Sequence, residues 1–263
     1  VLYAATWSVL SFLMLPMLVI FPVSLTDRRF LSLPQDGLSL AHYVNLFSSP
    51  KWLESILQSL VVAGVSTVLA VSFGTLCAVG CWRIGSRLSE TVRTLMIVPL
   101  VVPTIIYALG VYRFWIDLDL LDSFLGVILA HAVTSLPYVV ITVSASLANF
   151  DPRLEQAARS LGATLPETVR LVIVPNVMPG ILSGAIFAFI HSWDELVVVL
   201  FIASREVFTL PRMMWDGINE NLDPTIAAVA VVMMIVTLSL LLAELALRAR
   251  RDRAAGAAGG DAA

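Results

Sequence analysis

Charge is scarce in this chain, and so is cysteine. Charged residues make up 13% of the 263 and hydrophobic ones 59%, against soluble averages of about 25% and roughly 45–50%. That balance excludes an ordinary soluble domain and leaves an integral membrane protein. The two cysteines, Cys77 and Cys81, are too few for a thiolate metal site. One helical turn apart in an apolar run, they read as small buried residues. The G-x-x-x-x-G-K-[ST] phosphate loop is missing, so these residues cannot hydrolyse ATP. Neither a nucleophile paired with a base nor a set of metal ligands is evident, which argues against an intramembrane enzyme.

What is abundant is uninterrupted apolar sequence. Runs without Asp, Glu, Lys or Arg cover 1–26, 55–82, 94–112, 123–150, 171–193 and 224–243, and nearly all reach the roughly 20 residues that cross a bilayer core. An all-α membrane protein with six transmembrane helices is predicted, at about 4–25, 54–81, 94–113, 123–148, 176–203 and 224–246. With both termini in the cytoplasm, the inner side holds Arg83, Arg87, Arg93, Arg153, Arg159, Arg170, Arg248, Arg250, Arg251 and Arg253. The outer side then holds Arg28, Arg29, Lys51, Arg113, Arg205 and Arg212, and ten basic residues against six favour that orientation. Val1 is not an initiator methionine, so a basic segment is expected ahead of it. The first run is too long for a signal-peptide core and reads as a retained span.

Along the chain, Pro16 and Pro22 predict a bend in the first span. Residues 27–52 read as an outer loop ending in a short interfacial helix. Gly64, Ser66, Thr67, Ser72, Gly74 and Ala78 make the second span rich in small residues, so it is expected inside the bundle. A basic inner loop is expected over 83–93. Pro99 and Pro103 distort the third span, which either lines a path or packs as a bent helix. Asp117, Asp119 and Asp122 fall in an outer loop, 113–122, that lacks the glycine and terminal glutamate of a calcium loop. His131 in the fourth span reads as a core hydrogen-bonding residue. Gly180, Gly184 and Ala188, at four-residue spacing, predict close contact with another helix, in this chain or across a dimer. The single domain is read over 1–253, with a core at about 54–248, and the Ala- and Gly-rich tail 254–263 is expected to be disordered.

Residues 149–179 interrupt this pattern with a folded piece. Asp151 is an N-cap followed by Pro152 at the first helical position. Leu154, Ala157, Ala158 and Leu161 recur at three- and four-residue spacing and form one narrow apolar stripe. Gly162 takes the left-handed position that ends the helix. Thr164 and Glu167 fit a capping box, so a second short helix is predicted, running towards Val174 before Pro175. Small side chains at Ala157, Ala158 and Gly162 would let another protein approach the backbone. The alternative is an amphipathic connector lying on lipid headgroups.

Further polar residues sit in the fifth span: His191, Trp193, Asp194 and Glu195. Ionisable groups at membrane depth are costly, so they are paired, face water or carry function. His191, Asp194 and Glu195 stand at i, i+3 and i+4, on one face. They read either as part of a translocation path, or as an internal ion pair or a site near the outer interface.

Glu155 to Ile181 resembles the "EAA" signature of binding-protein-dependent ABC importer permeases, carried by Glu155, Ala157, Ala158, Gly162, Ile173 and Pro175. Gln156 stands inside the usual Glu-Ala-Ala triplet, and Val174 takes the place of a leucine. Ser192 to Met234 is similar to the end of the spermidine/putrescine-type permease subunits, through Asp194 and Glu195, Thr209 to Pro211, and Asp223 to Ala227. Relatives handling other amines, thiamine or ferric iron share much of that pattern. The resemblance implies a type I ABC importer permease fold in a bacterial inner membrane, with Glu155, Ala157, Ala158 and Gly162 in a coupling loop, 149–175. It implies no cofactor in this chain, because ATP and Mg would be bound by a partner ATPase. The implied partners are an ATP-binding subunit dimer, a second permease subunit, a periplasmic or lipid-anchored solute-binding protein and membrane lipids, with no nucleic acid. For cationic cargo, Asp194 and Glu195 would supply counter-charge. A stand-alone ion-coupled carrier or channel is the rival reading, and it would have no need of a structured helix-turn-helix between two spans.

Overall fold

In the computed structural model, which describes residues 2–220 and 223–260 and side chains as far as residue 249, the described residues are helical throughout their ordered elements. Five helices are long and apolar enough to cross a membrane, and a bent helix pair brings the number of candidate spans to six among the described residues. The chain divides into two compact units, 1–59 with 208–239 and 60–207 with 240–263.

In the first unit, α1 (Leu2–Ser24) continues through Pro16 and Pro22, and residues 3–19 are exposed along it. The predicted short helix is α2 (Ala41–Ser48). The Ser24 hydroxyl lies 2.7 Å from the Tyr43 hydroxyl, and Ser39 donates its amide to the Leu25 carbonyl, which ties the loop to the end of α1. Asn45 donates to the Thr225 hydroxyl at 2.9 Å at the start of α12 (Thr225–Gly260). Gln58 and Ser59 accept the amides of Phe208 and Leu210 at 2.6 and 2.7 Å, positioning α11 (Leu210–Glu220). The described backbone of α12 is helical to Gly260. Of the tail expected at 254–263, residues 261–263 lie outside the described residues.

The second unit is organised by α6 (Phe124–Ala148) and α9 (Val174–Asp194). Gly180 and Gly184 let their backbones meet: a Cβ on Gly180 would lie 2.5 Å from the Thr142 carbonyl oxygen, and one on Gly184 2.5 Å from Thr142 Oγ1. The small-residue stripe therefore packs within the chain, against α6. The second span, α3 (Pro50–Ile84), is not enclosed as expected. Ala63, Ser66, Ala70 and Ala78 are buried on one face, while Val68, Phe73 and Leu76 are exposed on the other. Small residues made one packing face, not an all-round core helix.

The basic inner loop expected over 83–93 is shorter, because α4 begins at Arg87 (Arg87–Val101). Ser86 caps it: its hydroxyl accepts the Ser89 amide, and Ser89 Oγ accepts the Ser86 amide. The third span is broken outright at Val102–Pro103, with α5 (Thr104–Leu118) turned 106° from α4. Proline lacks the amide a continuous helix would use there. Helix α5 also takes in residues 113–118 of the loop expected over 113–122, and Asp117 pairs with Arg113 at 2.7 Å.

Asp122, in left-handed conformation, is used by backbone. Its carboxylate accepts the amides of Ser204, Arg205 and Glu206 and the Ser204 hydroxyl, beyond the end of α10 (Val197–Ile202). Partial burial pushes this carboxyl up, but the three amides and the hydroxyl outweigh it and hold it at about 2.

Candidate functional site

Two places gather the residues singled out above. The first is the segment between α6 and α9. Asp151 Oδ1 accepts the Arg153 amide at 2.9 Å, and α7 (Pro152–Ser160) follows. The amides of Gly162 and Ala163 close its end on the carbonyls of Arg159 and Ala158, with Gly162 at φ +90°. Glu167 Oε2 accepts both the amide and the hydroxyl of Thr164, opening the short α8 (Leu165–Thr168). The cap, the glycine turn and the capping box thus stand where spacing put them.

The second short helix does not stop before Pro175. It passes through a π-helical turn, Val169–Ile173, into α9, so that 165–194 is one apolar helix. Pro175 removes one amide and crowds the carbonyl a turn back, and a widened turn there accommodates both without ending the helix.

Among the described residues, the apolar stripe on α7 is largely uncovered. Leu161 is 89% exposed and Leu154 45%. Ala157 is exposed, Ala158 half-buried, and Gly162 has open space where a side chain would stand. Glu155 behaves differently. It faces inward, where Arg83, in the last turn of α3, places Nε at 3.2 Å and Nη2 at 2.7 Å from Glu155 Oε1. Sequence reasoning missed Arg83, since a basic residue closing a span has many possible partners and nothing in the spacing names one 72 positions away.

The second place is the end of α9. The fifth span, read as unbroken over 176–203, is interrupted: α9 stops at Asp194 and α10 starts at Val197. Glu195 Oε1 accepts the Val198 amide at 3.0 Å and so caps the second piece. Neither proline nor glycine marks this break, and the capping carboxylate is the one local signal. Tyr138, Phe187, Ile190, His191, Asp194 and Glu195 line a concavity of about 270 Å³. The His191 and Tyr138 rings lie with centroids 5.0 Å apart at a tilt of 38°, and His191 Nδ1 lies 3.4 Å from the Tyr138 hydroxyl. His191, Asp194 and Glu195 are thus brought together as their spacing implied, with Tyr138 added. Trp193 is not among the lining residues: it is 2% exposed and stacks on Phe189. His131 is buried, its Nδ1 2.8 Å from Ser192 Oγ, which supplies the partner its sequence position left unnamed. Chemically, the concavity offers two carboxylates against an aromatic wall, a setting suited to a cation.

Residues 70–253 match the family model described as binding-protein-dependent transport system inner membrane component. The chain is 27% identical over 233 residues to a spermidine/putrescine transport system permease protein, PotC, of Haemophilus influenzae, covering 89% of this chain and 90% of that one. It is 30% identical over 251 residues to a trehalose transport system permease protein, SugB, of Mycobacterium tuberculosis, covering 88% and 89%. In fold it is similar, with a TM-score of 0.72 at 16% identity and 95% coverage of both chains, to a chain of a bacterial ABC transporter that imports alginate. Permease subunits of this kind are not catalytic, and ATPase activity resides in a partner subunit. A family model covering most of the chain, over a multi-span helical fold shared with a solved importer, places this protein in the family of binding-protein-dependent transport inner membrane components.

Proposed function

We propose that this chain is the membrane-spanning permease subunit of an ATP-driven importer in a bacterial inner membrane, and that it forms the path for a small cationic solute of the polyamine type. Residues 1–253 act as one permease domain, with the core at about 54–248, the coupling loop at 149–175 and both termini in the cytoplasm. An ATP-binding subunit dimer docks on α7, and a second permease subunit completes the path. A periplasmic or lipid-anchored binding protein delivers the solute to the outer mouth. Closure of the ATPases then moves the coupling loop and switches the bundle between inward- and outward-facing states.

The observation that carries this reading is the capped helix α7 with its uncovered apolar stripe, lying between two spans. Apolar residues at Leu154 and Leu161 beside small ones at Ala157 and Gly162 suit a partner surface that approaches the backbone closely. Purifying the chain from its native membrane tests it. A stoichiometric ATP-hydrolysing partner supports the importer, and a chain that transports alone refutes it.

The choice of a cationic solute rests on Asp194 and Glu195 beside Tyr138 and His191, and on the likeness to PotC. The likeness to a trehalose permease shows that family membership alone does not fix the solute. Replacing Asp194→Asn together with Glu195→Gln should lower polyamine uptake while leaving assembly with the ATPase intact. Unchanged uptake would remove both carboxylates from the path.

A further inference from the structure

The role assigned to Glu155 by motif alone is contact with a partner, yet its side chain is mostly buried and paired within the chain. Its carboxylate is only 15% exposed and is held by two nitrogens of Arg83, itself 23% exposed, at the inner end of α3. A second contact ties α3 to the connection that leads into α7: the Trp82 and Phe150 rings meet edge to face at 5.5 Å, just ahead of the Asp151 cap. Phe150 in turn belongs to the apolar cluster containing Ala78 and Val79 of α3, Leu147 of α6 and Ile173. The start of α7 is therefore fastened to α3 by a charge-assisted pair and an aromatic contact. At its C-terminal end Leu161 is 89% exposed, and a side chain at Gly162 would meet open space.

We infer that Arg83 and Glu155 form a positioning pair that carries the movement of α7 into α3, so that α3 is the span through which the ATPase drives this subunit. The inference rests on the importer reading above. A pair at this degree of burial holds its geometry better than an exposed one, because breaking it leaves a charge partly out of water. A force applied at the free end of α7 then reaches α3 through a short rigid connection, not through the glycine turn. Removing the pair should spare docking, since Glu155 is mostly buried against Arg83 while Leu154, Ala157 and Leu161 of the stripe are exposed. It should weaken the link between solute delivery and ATP hydrolysis.

The test uses the full complex of permease subunits, ATPase and binding protein in proteoliposomes, with Arg83→Glu, Glu155→Arg and the double reversal. Each single reversal is expected to keep the ATPase in the purified complex and to cut the ratio of binding-protein-stimulated to basal ATP hydrolysis by about tenfold, within the usual range of coupling between two sites. The double reversal should restore that ratio to within about twofold, which a merely structural loss would not allow. Arg83→Gln and Glu155→Gln, gentler on folding, should show the same loss in smaller degree. The inference is overturned if the single reversals couple normally, if the double reversal is no better than either, or if Glu155→Arg alone releases the ATPase, which would make Glu155 a direct contact. Failure of the importer reading looks different: the unaltered chain would then carry no ATPase at all.

Discussion

The seam between α6 and α9 and the free end of α7 use the same small residues for opposite ends. At the seam, Gly180 and Gly184 sit so close to Thr142 that a single carbon more would collide. At the end of α7, a Cβ on Gly162 would meet open space, and the residue takes a backbone conformation that others rarely adopt. One set of glycines is fixed by packing already made inside the chain. The other is fixed by backbone shape, with its surroundings left open. Where small residues are consumed by the chain's own packing they carry the fold, and where they are left uncovered beside apolar side chains they point to a partner.

Substitution at the seam should have the largest effect. Gly180→Val adds side chain where the Thr142 carbonyl already stands, and a destabilisation of about 3 kcal/mol is expected, read as a lower thermal unfolding midpoint in detergent. A change near zero would mean that the seam is looser than its geometry.

Gly162→Val sharpens the contrast from the other side. The strain of a branched residue at φ +90° costs about 1–2 kcal/mol and is expected to fall on the turn between α7 and α8. Retention of the ATPase should drop sharply while the unfolding midpoint moves only a few degrees.

Leu161→Asp removes the most exposed apolar side chain on α7 without touching packing. Stability should stay within about 0.5 kcal/mol, as for an ordinary surface change, while ATPase copurification is lost. A large fall in stability would show that Leu161 is covered within the chain and would erase the distinction between the two regions.

The smallest effect concerns pH at Asp122. Its folded carboxyl, held at about 2, lies below the ordinary 3.8, so its contribution is complete above the ordinary value and is lost as pH falls towards the folded one. The difference in unfolding midpoint between the native chain and Asp122→Asn should be constant near neutrality and shrink between pH about 4 and about 2. A difference that persists at the acid end would assign it to something other than the carboxylate.

Much of this contrast was legible beforehand. Asp151 with Pro152, Gly162, and Thr164 with Glu167 carry their own local chemistry, and each stands as spacing placed it. The stripe of Gly180, Gly184 and Ala188 announced a close helix contact, though spacing could not say that α6 would supply it. The misses share a cause. Arg83 with Glu155, and Asp122 with the 204–206 amides, join residues far apart in sequence and leave no periodic trace. The break at Glu195 was missed because a capping carboxylate inside an apolar run looks like a functional charge, and here it caps a helix while also lining the concavity. Trp193 was grouped with its neighbours by proximity in sequence, but it lies two residues from His191, on a different side of the helix, and packs inward.

The central claim is that the uncovered end of α7 is where an ATPase subunit grips this chain from the cytoplasm. A photo-crosslinking residue at position 161, activated in intact cells, measures this most directly. The account predicts a single protein adduct of ATPase size that disappears when the ATPase is deleted. Adducts to lipid alone, or labelling of position 161 by an impermeant reagent added outside the cell, would contradict it.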